Sequence, residues 1–195
     1  MKQKTNPYTL VFTQPQEAVK HFLKQSDYRN IALFIFLLSA FLSLFGQYPG
    51  QFIEALASIS VLFGGSFLYA LVLMWWGGKI SNKEYWKIYS SLSLAQIPLI
   101  FGRVIISGLL FFYFGKAALY NGVDRLIMLP SESFFALFVF FEAVVFSSWS
   151  LYAEIRVISL MQKIQWTYAL FRILICSISV TFISLLLLSA LIDVR

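Results

Sequence analysis

One cysteine and one histidine occur in 195 residues, and that scarcity removes several kinds of chemistry at once. Cys176 alone cannot form an intrachain disulfide. His21 is the only imidazole, so no His-based metal cluster or acid–base pair can be built inside the apolar part of the chain. Charged residues make up 12% of the sequence against 59% hydrophobic ones, where a soluble domain carries about 25% charged residues. Too little polar surface remains to face water on every side, so a bilayer has to serve as solvent. Phosphate-cradling glycine loops are missing too: Gly64-Gly65 and Gly77-Gly78 lack the required spacing and context. Nothing resembles a nucleophile elbow. No catalytic, cofactor-binding or metal-binding residue is therefore assigned, and the chain reads as non-enzymatic.

What the sequence has in abundance is long apolar runs. A transmembrane helix needs roughly 17–25 residues to cross about 30 Å of hydrocarbon. Five runs meet this, at Ile31–Tyr48, Ile53–Trp76, Tyr89–Phe114, Phe134–Ile158 and Tyr168–Ile192. The first follows some thirty largely polar residues and lacks a small-residue cleavage site, which reads as a span and not a signal peptide. Residues 1–30 form a cytosolic segment and 31–195 a five-span membrane domain, an all-α bundle. The first two spans are joined by a tight turn at Gln47-Tyr48-Pro49-Gly50-Gln51.

Sidedness follows from the basic residues. Net charge is +6, but the positive residues flank apolar runs, so lipid and not nucleic acid is their expected partner. Lys2, Lys4, Lys20, Lys24 and Arg29, then Lys79, Lys83 and Lys87, then Arg156, Lys163 and Arg172 fall on one side. Lys116, Arg125 and Arg195 fall on the other. The positive-inside rule places the N-terminus in the cytoplasm and, with five spans, the C-terminus outside. Trp75, Trp76, Trp86, Trp149 and Trp166 lie at span ends on the basic side, where indole favours the headgroup boundary. The expected location is the bacterial cytoplasmic membrane, or an endomembrane in a eukaryote.

Two helix starts are legible. Thr13-Gln14-Pro15-Gln16-Glu17 reads as a capped start. The helix it opens is amphipathic, with Phe22 on the apolar stripe and Lys20 and Lys24 opposite; it is expected to lie in the membrane interface or to dock a partner. Ser81-Asn82-Lys83-Glu84 is a capping box, and its helix carries Trp86 at the interface, a second docking candidate. Pro98 lacks the N–H that would bond the carbonyl of Leu94, which predicts a kink in the third span.

Asn6-Pro7-Tyr8 and Phe12-Thr13-Gln14-Pro15-Gln16-Glu17-Ala18, before the first span, resemble the opening of the bacterial branch of the Yip family, relatives of the Ypt/Rab-interacting membrane proteins. Gly77-Gly78-Lys79 to Ser91 and Ala95-Gln96-Ile97-Pro98-Leu99 look like that family's second cytoplasmic loop and proline-bearing third helix. Trp149-Ser150-Leu151, Ser159-Leu160 and Tyr168-Ala169-Leu170 are similar to its fourth helix, short loop and fifth helix. The resemblance implies five membrane helices with a cytosolic N-terminus. Eukaryotic members act in vesicle traffic through prenylated GTPases, and some bacterial members accompany ABC-type exporters. The chain lacks the long cytosolic N-terminal segment of many eukaryotic members.

Two charges sit deep in apolar runs. Arg103 and Glu142 lie about 13–16 Å from their outer span ends at 1.5 Å per residue, on adjacent antiparallel helices. An unpaired charge there costs about 2.5–3.5 kcal/mol, so an Arg103–Glu142 contact or a shared polar cavity is expected. Glu154 and Arg156 lie near the inner end of the fourth span. Arg156 can snorkel to the headgroups, and Glu154 reads as an interfacial helix end in preference to a bundle-facing acid. Glu54 reads as a helix-start anion. Small residues four apart, including Ser60/Gly64, Ser66/Ala70, Ala143/Ser147 and Ser177/Thr181, suggest close helix packing. Phe134, Phe135, Phe138, Phe140 and Phe141 read as lipid-facing or packing surface.

The expected function is a multi-pass accessory or adaptor protein contacting other integral membrane proteins, an ABC-type exporter or itself among them. The alternative is a small transporter or permease subunit with a polar path at Arg103, Glu142 and the Pro98 kink; a lipid-active enzyme is a third class. A dry, paired interior favours the adaptor, a continuous polar cavity reaching Arg103 and Glu142 favours transport, and convergent polar groups at an inner-leaflet groove favour lipid chemistry.

Overall fold

The computed structural model describes residues 6–42, 52–78, 81–114 and 133–193. Every regular element among them is a helix: α1 (Pro7–Leu10), α2 (Pro15–Phe22), α3 (Tyr28–Leu42), α4 (Phe52–Trp76), α5 (Asn82–Ala95), α6 (Ile97–Phe114), α7 (Ser133–Gln162) and α8 (Trp166–Asp193). The turn expected at 47–51, and Lys2, Lys4, Lys79, Lys116, Arg125 and Arg195, lie outside the described residues. So do the side chains of Glu54, Phe134, Phe135 and Phe138.

Four stretches are long and apolar enough to cross a membrane: Ile59–Trp76, Asn82–Leu109, Phe140–Gln162 and Trp166–Ser184. The fifth expected span begins as α3. Its fifteen residues rise only about 22 Å, and the expected continuation to Tyr48 lies outside the described residues.

Local sequence explains the helix starts. Asn6 Oδ1 accepts from the Tyr8 N–H at 3.0 Å and Pro7 follows in the first turn, a start the sequence reading had not separated from α2. Thr13 does not cap α2: Gln14 holds the cap position without a side-chain bond, and Pro15 opens the helix. Ser81 does cap α5, its Oγ accepting from Glu84 N–H at 3.2 Å.

The amphipathic helix α2 covers its apolar stripe within the protein. Ala18, Val19 and Phe22, with Val11 just before, pack with Leu94, Ala95, Ala153 and Val157 of α5 and α7. Trp149 Nε1 donates to the Phe12 carbonyl at 2.8 Å, and Gln16 Nε2 to that of Arg156 at 3.3 Å. The short α1–α2 hairpin is thus fastened to the bundle.

Around the bundle, α3 packs on α4, α4 on α8, α8 on α7, α7 on α6 and α6 on α3. These five helices close a ring. Inside it runs α5, buried from Ile88 to Ala95 and packed on α3, α4 and α7. Its Tyr89 is fully buried, with ring centroids 4.7 Å from both Phe36 and Phe67.

The central helix stops at Gln96, two residues before Pro98. Pro98 has no N–H for Leu94, and its ring crowds the preceding turn. The Ala95 carbonyl, freed at the break, accepts instead from Ser150 Oγ of α7 at 2.8 Å. The chain then leaves the axis as α6 and joins the ring, antiparallel to α7: Ser150 meets Ala95, while Phe146, one turn earlier, meets Phe101 and the backbone of Gly102.

Candidate functional site

Past the end of α5 no described helix runs along the centre of the ring, and a cavity of ≈ 560 Å³ occupies the space. Three helices turn to it faces with the same period. On α4 these are Leu62, Gly65, Ser66 and Tyr69; on α8, Ser177, Val180, Thr181 and Ser184. Both sets follow i, i+3, i+4, i+7, one side of an α-helix. On α7, Ser150, Ala153, Glu154 and Val157 repeat that spacing and are all buried, and Glu154 is the member that reaches the cavity. Gln96 at the helix break and Arg103, two turns later on α6, complete the polar lining with Ser39 of α3.

The sequence reading of Glu154 as an interfacial helix end is corrected by this packing. Its side chain lies in the bundle, 8% exposed, and the Tyr69 hydroxyl donates to its Oε1. The buried stripe on α7 carries the signal: Glu154 is in phase with Ser150, Ala153 and Val157, whereas Arg156 is out of phase.

The expected Arg103–Glu142 contact is not made. Among the described residues the ion pairs are Lys20–Glu17 and Lys87–Glu84, both at 2.7 Å. Arg103 Nη1 donates instead to the Ser39 carbonyl at 2.7 Å and to Ser39 Oγ at 3.3 Å. Rotation about α6 accounts for the difference. Gly102 is the residue pressed against α7, at Phe146, and the next side chain points about 100° further around the axis, toward α3. Glu142 lies one turn before Phe146 on α7, partly buried, and is not among the cavity-lining residues.

The docking candidates are also rearranged. Phe22 is fully buried and has no surface to offer a partner. Lys20 and Lys24 are exposed on the opposite face, with Lys20 bridged to Glu17; that ammonium, by hydrogen bond and charge, holds the Glu17 carboxyl below its usual range. Trp86 packs inward against Tyr89 and Tyr85, and the Arg29 guanidinium lies 5.6 Å from its ring centroid. Phe140 and Phe141 are exposed, at 66% and 63%, which suits contact with lipid.

Comparison of the chain with protein-family models, with curated proteins and with solved structures finds no match to any of them. What the site can do therefore rests on its own chemistry. Ser66, Ser177 and Thr181, which the small-residue spacing assigned to helix packing, line the cavity. At the α4–α8 pair a Cβ on Gly65 would sit 3.6 Å from Ser184 Oγ and Val180 Cγ1, an ordinary contact distance, so the helices come no closer there than alanine would allow. Ser39, which receives Arg103, carried no pattern in the sequence. Only the fold shows that two helices cross there.

Proposed function

We propose that this chain is a multi-pass membrane protein that admits a polar solute into an intramembrane cavity, acting as a small transporter or permease subunit. One observation carries the reading: Arg103 and Glu154, far apart in sequence, line the same, otherwise largely apolar cavity without an ion pair between them. A bundle whose task is only to contact other membrane proteins is better served by a dry, packed interior, since each charged group in hydrocarbon costs about 2.5–3.5 kcal/mol. The adaptor reading draws no support from such a cavity.

Five spans with a cytoplasmic N-terminus belong to the same proposal. In its support, the described basic residues Arg29, Lys83, Lys87, Arg156, Lys163 and Arg172 fall at the starts of α3, α5 and α8 and the end of α7. The last turns of α4 and α7 are tied by Gln162 Nε2, which donates to the Leu73 carbonyl at 2.6 Å. The motif likeness to bacterial Yip proteins supports the same plan, and a bacterial cytoplasmic membrane as its setting.

Cysteine accessibility tests the reading. Ser177→Cys and Thr181→Cys, each in a Cys176→Ser background, are reconstituted in liposomes and treated with a charged, membrane-impermeant thiosulfonate. Both cavity positions are expected to react, and Phe182→Cys, on the exposed apolar face of α8, is expected not to. Protection of both cavity positions to the level of Phe182→Cys would show a dry interior and sink the transport reading.

A further inference from the structure

We infer that the cavity is an oxyanion site, in which Arg103 grips the carboxylate or phosphate group of the solute. This rests on the reading of the cavity as a solute site and names the chemistry of what enters it.

A guanidinium has five N–H donors and no acceptor. Arg103 uses Nη1 on the two oxygens of Ser39; among the described residues Nε and Nη2 have no hydrogen-bond partner. The contact with Ser39 satisfies geometry without neutralising charge, because a carbonyl and a hydroxyl are both uncharged. Among the described residues no carboxylate lies within ion-pair distance of Arg103. A cation thus faces a cavity with donors to spare and, among the described residues, no carboxylate paired to its charge. Its planar fork offers parallel N–H groups, which suit a two-oxygen anionic group better than a spherical ion.

The surroundings add donors on the same scale. Ser39 Oγ accepts from Arg103, so its own proton is available to a ligand. Thr181 and Ser184 present further hydroxyls from α8, while that of Ser177 lies against the Tyr69 hydroxyl. The acid in the cavity, Glu154, is engaged by Tyr69 on the α4–α7 side, away from the α3–α6 crossing that holds Arg103. An anion is therefore steered to the arginine end. A volume of ≈ 560 Å³ falls in the range of small-molecule sites, about 300–1,000 Å³. The wall is not wholly polar, for Phe36, Val61, Leu62 and Val180 share it. Leu62 is half exposed and Thr181 exposed, so an apolar tail could leave through that side. The oxyanion can therefore belong to an amphiphile's headgroup or to a small water-soluble solute.

The test uses the full chain in a neutral maltoside, with dodecanoate and lysophosphatidate as anionic amphiphiles. Acetate and inorganic phosphate are the soluble anions, and monododecanoyl glycerol is the uncharged control. Two readouts are followed: the thermal midpoint, and protection of Thr181→Cys (with Cys176→Ser) from the thiosulfonate. A saturable rise in midpoint with protection by the anions, and none from the uncharged control, is expected. Arg103→Gln should weaken binding at least tenfold. If that variant does not fold, Arg103→Lys, which keeps charge but loses the fork, and Ser39→Ala serve in its place, with a weaker affinity expected for each. Protection by amphiphiles alone assigns a lipid headgroup; equal protection by acetate or phosphate assigns a soluble solute; either supports the oxyanion site. Equal protection by the uncharged control, or undiminished anion binding in Arg103→Gln, overturns it. If the cysteine reacts freely and no anion protects it, the oxyanion site falls while the wet cavity stands; if the cysteine never reacts, both fall.

Discussion

Gly102 offers the sharpest test of the packing that aims Arg103. A Cβ at this position would lie 2.4 Å from Phe146 Cγ, 2.5 Å from Cδ2 and 2.6 Å from Cβ. Rotating the Phe146 ring relieves the first two contacts and not the third, because its Cβ is fixed to the backbone. Carbon atoms settle at about 3.5–4.0 Å, so α6 and α7 must part by roughly 1 Å. Overpacking of this kind costs about 1–3 kcal/mol, against a gain of about 0.5–1 kcal/mol for alanine over glycine within a helix. Gly102→Ala should therefore destabilise the protein by up to about 2.5 kcal/mol. At about 2–4 °C per kcal/mol for a chain of this size, the thermal midpoint in detergent should fall by a few degrees. Phe146→Ala alone should also destabilise, through lost burial and the lost edge contact with Phe101, whose ring centroid is 6.0 Å away. In the double variant the contacts with Cγ and Cδ2 are gone while the 2.6 Å contact between the two Cβ atoms stays, so part of the clash is relieved. The pair should be less harmful than the sum of its parts, with a coupling of about 0.5–3 kcal/mol. Strict additivity, or a more stable Gly102→Ala, would refute the close approach and with it the account of where Arg103 points.

Two further outcomes follow from the break and from the N-terminal hairpin. Ser150→Ala leaves the buried Ala95 carbonyl without its 2.8 Å donor and should cost about 1–3 kcal/mol, read as a fall in thermal midpoint; an unchanged midpoint would mean that water or a backbone shift serves the carbonyl equally well. Burial raises the Tyr8 phenol above the usual tyrosine value of 10.0, with the Gln25 hydrogen bond opposing it. A group whose folded pKa is raised contributes stability that is complete below its unfolded value and is lost as pH rises through the folded one. The α1–α2 hairpin should hence loosen above about pH 10, seen as faster proteolysis around Thr13, and Tyr8→Phe should flatten that rise; an identical pH profile in the variant would remove Tyr8 from the cause.

Much of the scaffold was legible because lipid imposes a simple rule on sequence. Runs of apolar residues located α4, α6, α7 and α8, and Ser81 the start of α5; Pro98 was legible as a kink within one span, not as the place where a central helix ends. The site was legible only in part, for a physical reason. Hydropathy finds that Arg103 and Glu142 are deep, but not which way they turn, and one residue along a helix is about 100° of rotation. Glu154 was readable from the phase of Ser150, Ala153 and Val157, had that phase been weighed above its nearness to the span end. α2 shows the opposite limit. Its amphipathic pattern correctly separates Phe22 from Lys20, yet pattern alone cannot tell whether the apolar stripe meets lipid, a partner or the protein's own α5 and α7.

The break at Gln96 links these features into one cause. Had α5 continued straight, its side chains would occupy the centre of the ring throughout, and serines on α4 and α8 would meet helix instead of open space. Proline stops it by removing one N–H and crowding one turn. Ser150 makes the stop tolerable by taking the neighbouring Ala95 carbonyl. The chain then shifts to the ring wall, where Gly102 lets α6 close on α7 and sends Arg103 toward Ser39. Irregular backbone inside a membrane is tolerated where protein or a cavity surrounds it, and here both do. The same interruption supplies the space, the half-buried polar edge at Gln96 and the orientation of the cation. If that chain of cause holds, Ser150→Ala and Gly102→Ala should each disturb the reactivity of Thr181→Cys as well as stability, although neither residue is among those lining the cavity.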